Sequence, residues 1–504
     1  MTDGPQPSAR WRTLAGGAAA ALSLSLAWVG SKLDPDLTFG PVGLAGRIIR
    51  LSPGDVATYF IEALGTNAQR LLVAATVLLL VALGALLGRW LSGPARLAAL
   101  AGACFGALLA AGSLLAPTGT ATGSALLVAA AAGVVFAATL CWLVAVAALA
   151  SAEPDVSRRR AFGITGSAVA GFVLGGTVLD RLIEPSSGRE NVTLATPSRR
   201  ASVPSKSVRV IPGLSPEVTS PADHYVVDIN IEKPVVDVRS WSLEVDGLVE
   251  EPLRLDFDRL QSEFVVEEQY SVLTCVSNQV GGPLVGNSKW SGVPLGEVLR
   301  RAAVKDGAVD LALSCADGYT VSIPLERALE PSALLAIAQN DEPLTIEHGF
   351  PCRLRVPRLY GMMNAKWLER IEVVGADYRG YWAKRGWSDV GTVRTQSRID
   401  TVSPAPRVGR QSWIAGIAWA GDRGISRVEV SLDGGRSWES AALREPLSPV
   451  AWTQWTFRFR PEASGSQLIA CRAVDGEGAT QDEEVRPPHP SGATGYHRVS
   501  VEVA

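Results

Sequence analysis

The N-terminal part of this chain carries five apolar runs with few charges: Leu14 to Gly30, Leu71 to Leu91, Leu97 to Ala116, Ser124 to Ala150 and Phe162 to Leu179. Each is close to the roughly 20 residues that a helix needs to cross the hydrocarbon core of a bilayer. No water is available there to satisfy a backbone amide, so such a segment must bond within itself as helix. Residues 1–184 are therefore expected to form an all-α transmembrane anchor of about five helices. The short connection Ser92 to Pro94 makes the second and third runs an antiparallel hairpin.

Arginine placement suggests which way the anchor faces, because short cytoplasmic loops are enriched in Lys and Arg. Arg10 and Arg12 precede the first run, Arg89 and Arg96 flank the hairpin turn, and Arg158, Arg159 and Arg160 precede the fifth. The loop Thr118 to Thr122 is uncharged. Arg47, Arg50 and Arg70 dissent, but Asp34, Asp36, Asp55 and Glu62 accompany them. The pattern predicts a multi-pass protein of the cell membrane with its N-terminus inside and everything after the fifth run outside. Ser157 to Phe162 is similar to an internally placed twin-arginine export signal, and three ordinary positive-inside arginines would read the same way. All four histidines, His224, His348, His489 and His497, follow the last run, so the bundle is expected to hold no haem between imidazoles. It reads as an anchor or docking surface.

Beyond Glu184 the composition becomes that of a water-soluble protein. A formal net charge of -3 supplies no basic field, which sets nucleic-acid binding aside. Cys104 and Cys141 lie in apolar runs, and Cys275, Cys315, Cys352 and Cys471 show no C-x-x-C spacing, so neither zinc nor a thioredoxin-like pair is indicated and any disulfide is optional. Residues 185–207 have the Ser/Pro/Arg/Thr composition of a linker, and a folded domain is expected from near Val208 to about residue 397. Trp241 to Gly247 alternates with period two, as a half-buried strand does, and strand-like runs recur at Ser271 to Cys275, Leu311 to Cys315 and Ile371 to Val374. Short helical patterns at Leu295 to Ala303 and Leu325 to Leu329 lie between them, so the domain is expected to be α+β. Cys275 ends a strand and enters the glycine-rich Gly281 to Asn287. By its residues alone this position suits either a buried structural thiol or a ligand-binding one.

Five motifs in order carry more information than any one of them. Cys275-Val276-Ser277-Asn278, Trp290 to Leu295, Asp317-Gly318-Tyr319, His348-Gly349-Phe350-Pro351 with Arg353, and Lys366-Trp367-Leu368 resemble the sulfite-oxidase-like molybdopterin domain, over about residues 208–397. The chain looks like a membrane-anchored bacterial member of that molybdopterin-dependent oxidoreductase family. The resemblance implies molybdenum with a single molybdopterin as cofactor and no haem. It implies that Cys275 is the protein ligand to the metal, a soft sulfur suited to such a site. It also implies that His348, Arg353 and Lys366 hold the pterin phosphate, for which cationic donors are needed. Asn278 becomes a cofactor contact or a turn residue, and Tyr319 and Tyr225 become pocket tyrosines able to orient an oxo group or a substrate oxygen.

Departures from the family bear on substrate. Sulfite oxidases typically follow the Cys-x-x-Asn unit with two arginines, where this chain has Gln279 and Val280; Met363 and Val226 likewise stand where arginine is usual. A pocket without guanidinium forks is a poor cradle for a doubly charged anion, so sulfite is not the expected substrate.

From residue 398 to 504 the pattern is β. Trp413 to Ala418, Ile425 to Leu432, Trp452 to Phe459 and Leu468 to Ala473 alternate at strand length, and Asp433-Gly434-Gly435 marks a hairpin turn. This is similar to the immunoglobulin-like β-sandwich that mediates dimerisation in sulfite oxidases, which implies a homodimer. Pro490, Gly495 and His497 lie in a loop-like stretch, read as surface decoration in preference to the alternative of a contact to the cofactor domain.

The expected activity is two-electron oxygen-atom transfer on the outer face of the membrane, with a small-molecule or sulfoxide-like substrate and a separate electron carrier as partners beside the lipid bilayer. Two other readings stay open at this point. One is an exported repair reductase for protein methionine sulfoxide. The other is a cell-surface structural protein that has lost its cofactor, against which the joint presence of Cys275, His348, Arg353 and Lys366 weighs.

Overall fold

A computed structural model describes residues 7–34, 37–52, 56, 59–60, 64, 67–92, 95–116, 122–149, 154–182, 187–201 and 211–504. The turn residues 93–94, the loop 117–121, Asp36, Asp55, Glu62, and the domain start at Val208 lie outside them, as do the side chains of residues 151–158, Arg158 included. The chain divides into two compact units, residues 1–186 with 229–233, and residues 187–228 with 234–504.

The first unit is helical. Its long helices are α1 (Ala9–Leu33), α3 (Asn67–Leu91), α4 (Ala95–Leu114), α5 (Thr122–Leu149) and α6 (Pro154–Leu182), with the shorter α2 (Gly40–Leu51) after α1. Five helices are long and apolar enough to cross a membrane, over the runs that the hydropathy pattern picked out. α1 starts where Ser8 caps the backbone N–H of Trp11, and it packs on α3, α5 and α6, while α4 pairs with α5. Lipid offers no hydrophobic drive to bring helices together, so close backbone approach supplies it through small residues. A Cβ placed on Gly88 would stand 2.5 Å from the Cα of Gly16, and one on Gly102 2.3 Å from the carbonyl oxygen of Gly133. Phe105 and Phe136 stack at 4.8 Å in the core between α4 and α5.

α2 corresponds to no expected element. Pro41 suits its first turn and its pattern is amphipathic, but its 12 residues are too few to span, so hydropathy left it inside a loop.

The second unit begins with two sheets. The first is built from β1 (Leu243–Gly247), β2 (Leu253–Leu255), β5 (Asp310–Cys315), β6 (Thr320–Pro324) and β10 (Leu368–Val374), in the order β2-β1-β10-β5-β6, with β1 and β10 parallel. The second holds β3 (Glu267–Thr274), β4 (Val285–Pro294), β7 (Leu334–Gln339) and β8 (Glu342–Pro343), with β9 (Arg353–Arg355) paired to β7. Short helices at Leu295–Ala302 and Leu325–Ala328 complete the α+β character. Residues 187–201, expected as linker, pack on this domain. Arg189 donates to the carbonyls of Pro343 and Leu344, and Ser198 N–H bonds to Val266 O.

The C-terminal part is a β-rich domain of two four-stranded sheets. One contains β11 (Gln396–Val402), β12 (Ser412–Trp419), β15 (Ala442–Leu443) and β16 (Thr453–Phe459). The other contains β13 (Ile425–Ser431), β14 (Glu439–Ser440), β17 (Gly465–Asp475) and β18 (His497–Val503). Ile414, Trp455 and Phe457 from the first sheet meet Val428, Val430 and Ile469 from the second in one apolar core, because alternate residues of each strand share a face. At the β13–β14 turn the Asp433 carboxylate accepts the N–H groups of Arg436 and Ser437. His497 is not loop decoration: it opens β18 and turns its ring toward the glycine-rich segment after Cys275.

Candidate cofactor site

β3 ends at Thr274, and the next residue is held in a tight turn. Cys275 N–H bonds to Leu284 O at 2.9 Å, Asn278 N–H returns to Cys275 O at 3.1 Å, and the Asn278 side-chain oxygen accepts Leu284 N–H at 2.8 Å. Asn278 thus orders the loop through its carboxamide oxygen. Cys275 is 6% exposed. Burial pushes its thiol above the usual range, while hydrogen bonds from Ser277 and from the Val276 N–H favour the thiolate.

Three tyrosines lie near this sulfur. Burial raises the phenols of Tyr225 and Tyr319 well above 10 and that of Tyr360 above it, with the nearby Cys275 thiolate adding to each. Tyr319 O–H donates to Met362 O at 2.7 Å, and Tyr360 Oη accepts Arg394 N–H at 3.2 Å. The buried hydroxyl of Tyr225 has no hydrogen-bond partner among the described residues.

A cluster of cations adjoins Tyr225. Arg353 and Arg355 stand two apart on β9 and so share a face; both are almost fully buried, and their guanidinium groups lie 5.2 and 5.0 Å from the centre of the Trp290 ring. Arg353 donates to the carbonyls of His348 and Asn364, and Arg355 to Asn364 Oδ1, Ser271 Oγ and Val272 O. Among the described residues no carboxylate lies within ion-pairing distance of either, and both Nε atoms are buried without a partner. Burial depresses Arg353 to about 10 and Arg355 to about 9. His348 Nε2 meets Pro221 O at 2.8 Å, and burial lowers His348 to about 4. His224 packs edge to face on His348 at 5.3 Å; burial and its cationic neighbours hold it well below 6.5, and its Nε2 is also unpartnered. Lys366 lies against Gly349 and is engaged by Asp228 and by Glu347 O, and burial lowers its ammonium.

Buried charge is costly unless something opposes it. Two buried guanidinium groups with no carboxylate within ion-pairing distance among the described residues, and an unpartnered histidine nitrogen, are therefore what a phosphate-bearing ligand would satisfy. The adjacent buried thiol offers a soft ligand to a metal, so the donor set fits a molybdenum–molybdopterin group.

The structure draws together the residues singled out by motif: Tyr225 and Tyr319 lie near Cys275, His348 lies near Arg353 and Lys366, and Tyr225 is close to both Cys275 and Arg353. His224, Arg355 and Tyr360 were missed. The period-two spacing of Arg355 from Arg353 was a visible signal, whereas nothing in the sequence marked His224 or Tyr360. The expectation of a pocket without guanidinium forks overlooked Arg355, although its terminal nitrogens are already committed to neighbouring oxygens.

The fold and this cluster fit a binding site for an anionic cofactor with a buried thiol beside it. Residues 230–382 match the oxidoreductase molybdopterin-binding domain, and residues 389–504 match the Mo-co oxidoreductase dimerisation domain. Sulfite oxidase of Gallus gallus is 29% identical over 322 residues, covering 54% of this chain and 70% of that protein. A nitrate reductase [NADH] of Phaseolus vulgaris is 29% identical over 321 residues, covering 50% of this chain and 36% of that protein. The sulfane dehydrogenase SoxCD of Paracoccus pantotrophus shares the fold, with a TM-score of 0.50 at 23% identity, over 59% of this chain and 87% of that one. The chain belongs to the sulfite-oxidase-like molybdopterin oxidoreductases, and its cofactor is molybdenum with molybdopterin. That sets aside a structural protein without cofactor.

Proposed function

We propose that this enzyme performs two-electron oxygen-atom transfer on a neutral, sulfoxide-like or N-oxide-like substrate, with the cofactor domain on the outer face of a bacterial cytoplasmic membrane. The observation that carries the reading is the pair of buried guanidinium groups, Arg353 and Arg355, with no carboxylate within ion-pairing distance among the described residues, beside the unpartnered Nε2 of His224 and the buried Cys275. The bound cofactor supplies the two-electron couple and the oxygen-atom chemistry.

The protein supplies position. Cys275 would hold the metal as its thiolate, the form that coordination would stabilise against the cost of burial. His348, Arg353 and Lys366, joined by His224 and Arg355, would hold the phosphate. The unpartnered Tyr225 hydroxyl donates to the substrate oxygen, and Tyr319, anchored on Met362 O, walls the pocket and excludes water. Val226, Gln279, Val280 and Met363 offer no cation to a dianion, which favours a neutral substrate. The arginines at the ends of alternate helices support the outward orientation. The C-terminal domain, of immunoglobulin-like type in this reading, pairs two chains, and electrons come from or go to a separate carrier.

The test is a dye-coupled assay of the full chain in detergent, run with alkyl and aryl sulfoxides, an amine N-oxide and sulfite. The expected result is turnover of a neutral oxide with kcat/KM at least about tenfold above that for sulfite, the scale of one lost charge-assisted hydrogen bond. Preference for sulfite would overturn the substrate assignment.

A further inference from the structure

The C-terminal domain grips the turn that carries Cys275. Arg398 on β11 donates from Nη1 to the carbonyl of Gly282 at 2.8 Å and from Nη2 to Ser215 Oγ at 2.8 Å, while its Nε is held by the Asp400 carboxylate at 2.6 Å. Asp400 also accepts the N–H of Ser215 at 2.9 Å. All three arms of a planar fork are thereby committed, which fixes where the Gly282 carbonyl sits.

His497 acts one residue away. Its Nδ1 accepts the N–H of Ile399 at 3.0 Å, so the ring proton resides on Nε2 and the Cδ2–Nε2 edge faces Gly281. A Cβ on Gly281 would lie 2.4 Å from both of those ring atoms, and φ at Gly281 is +78°, so only glycine fits the contact. Gly281 and Gly282 belong to the same closed turn as Cys275, whose two ends are tied by Cys275 N–H to Leu284 O. An independent contact repeats the theme at Tyr360. Tyr360 Oη takes the N–H of Arg394, and a Cβ on Gly492 of the C-terminal segment would stand 2.1 Å from that oxygen.

We infer that Arg398 and His497 are positioning residues: the domain matched as a dimerisation domain also sets the geometry of the Cys275 turn within its own chain. The inference rests on the reading of Cys275 as metal ligand, and its test separates the two. A contact of this kind acts by closing local openings of the turn, and local opening governs how often a buried thiol meets a reagent.

The experiment uses the full chain in detergent, made without cofactor in a host blocked in pterin synthesis. Iodoacetamide alkylation of Cys275 is followed by peptide mass spectrometry, with Cys471, buried in the sandwich core, as monitor of global opening. Arg398→Ala and His497→Ala are each expected to raise the Cys275 rate about tenfold or more, the loss of a charge-assisted or packed contact. Arg398→Lys should restore part of the protection. Arg358→Ala, which breaks a contact to Asp422 at 3.1 Å that does not touch the turn, should change the rate less than twofold. Equal Cys275 rates in Arg398→Ala and parent, or a rise matched by Cys471, would overturn the positioning role. In cofactor-loaded parent protein the metal should block Cys275 alkylation. Unblocked alkylation there contradicts the ligand assignment, while the cofactor-free comparison still decides the positioning role.

Discussion

Cys275→Ser is expected to remove more than about a hundredfold of dye-coupled activity while the protein remains folded. Loss of groups that merely support a metal ligand costs about 10- to 100-fold, and loss of the ligand itself exceeds the top of that range. Serine replaces the thiol almost isosterically, so the turn closed by Cys275 N–H and Asn278 persists. A hydroxyl, however, is a hard donor that keeps its proton at neutral pH, and it cannot reproduce a soft thiolate. The decisive readings are a changed metal spectrum together with unchanged thermal unfolding of the cofactor-free protein. A variant that keeps the parent's spectrum and rate would mean that the metal is not held by Cys275.

Arg353→Met separates a functional buried charge from a structural one. In the cofactor-free protein Arg353 is buried with carbonyl partners only, and burial drags it to about 10. Methionine keeps much of the volume against Trp290 and removes the desolvated charge, so relief of that cost offsets the loss of two hydrogen bonds. Unfolding of the cofactor-free variant is therefore expected to stay within about 1 kcal/mol of the parent. Cofactor retention is expected to fall roughly ten- to a hundredfold, the value of a charge-assisted hydrogen bond to an anion. A large loss of apo stability with cofactor retention untouched would make Arg353 a structural residue.

Much of this architecture is legible before any coordinates, for reasons that differ by region. In the N-terminal unit, hydropathy works because apolar runs of spanning length have helix as their ready way to pair their own backbone groups, and the runs at residues 14–179 coincide with five long helices. In the C-terminal domain, alternation over Ile425 to Leu432 or Trp452 to Phe459 reports strand periodicity, and the strands lie there, although Thr453–Phe459 is buried at nearly every position. α2 escaped because its apolar pattern is too short to register as a span. Residues 187–201 escaped because their contacts, such as Arg189 to the carbonyls of Pro343 and Leu344, join positions more than 150 apart, which composition does not encode. The motifs exposed Cys275, His348, Arg353 and Lys366, since their spacing is local. Tyr360 and His224 enter the same cluster only through tertiary packing, and His497 through the register of β18 against β17.

The most direct test of the central claim is the molybdenum and phosphopterin content of the full chain, purified in detergent from a host that loads other molybdenum enzymes. Close to one metal and one pterin per chain is expected, both strongly reduced in Arg353→Met. A parent protein without metal or pterin from that host would contradict the claim, leaving the buried cations beside Cys275 without the anion their burial demands.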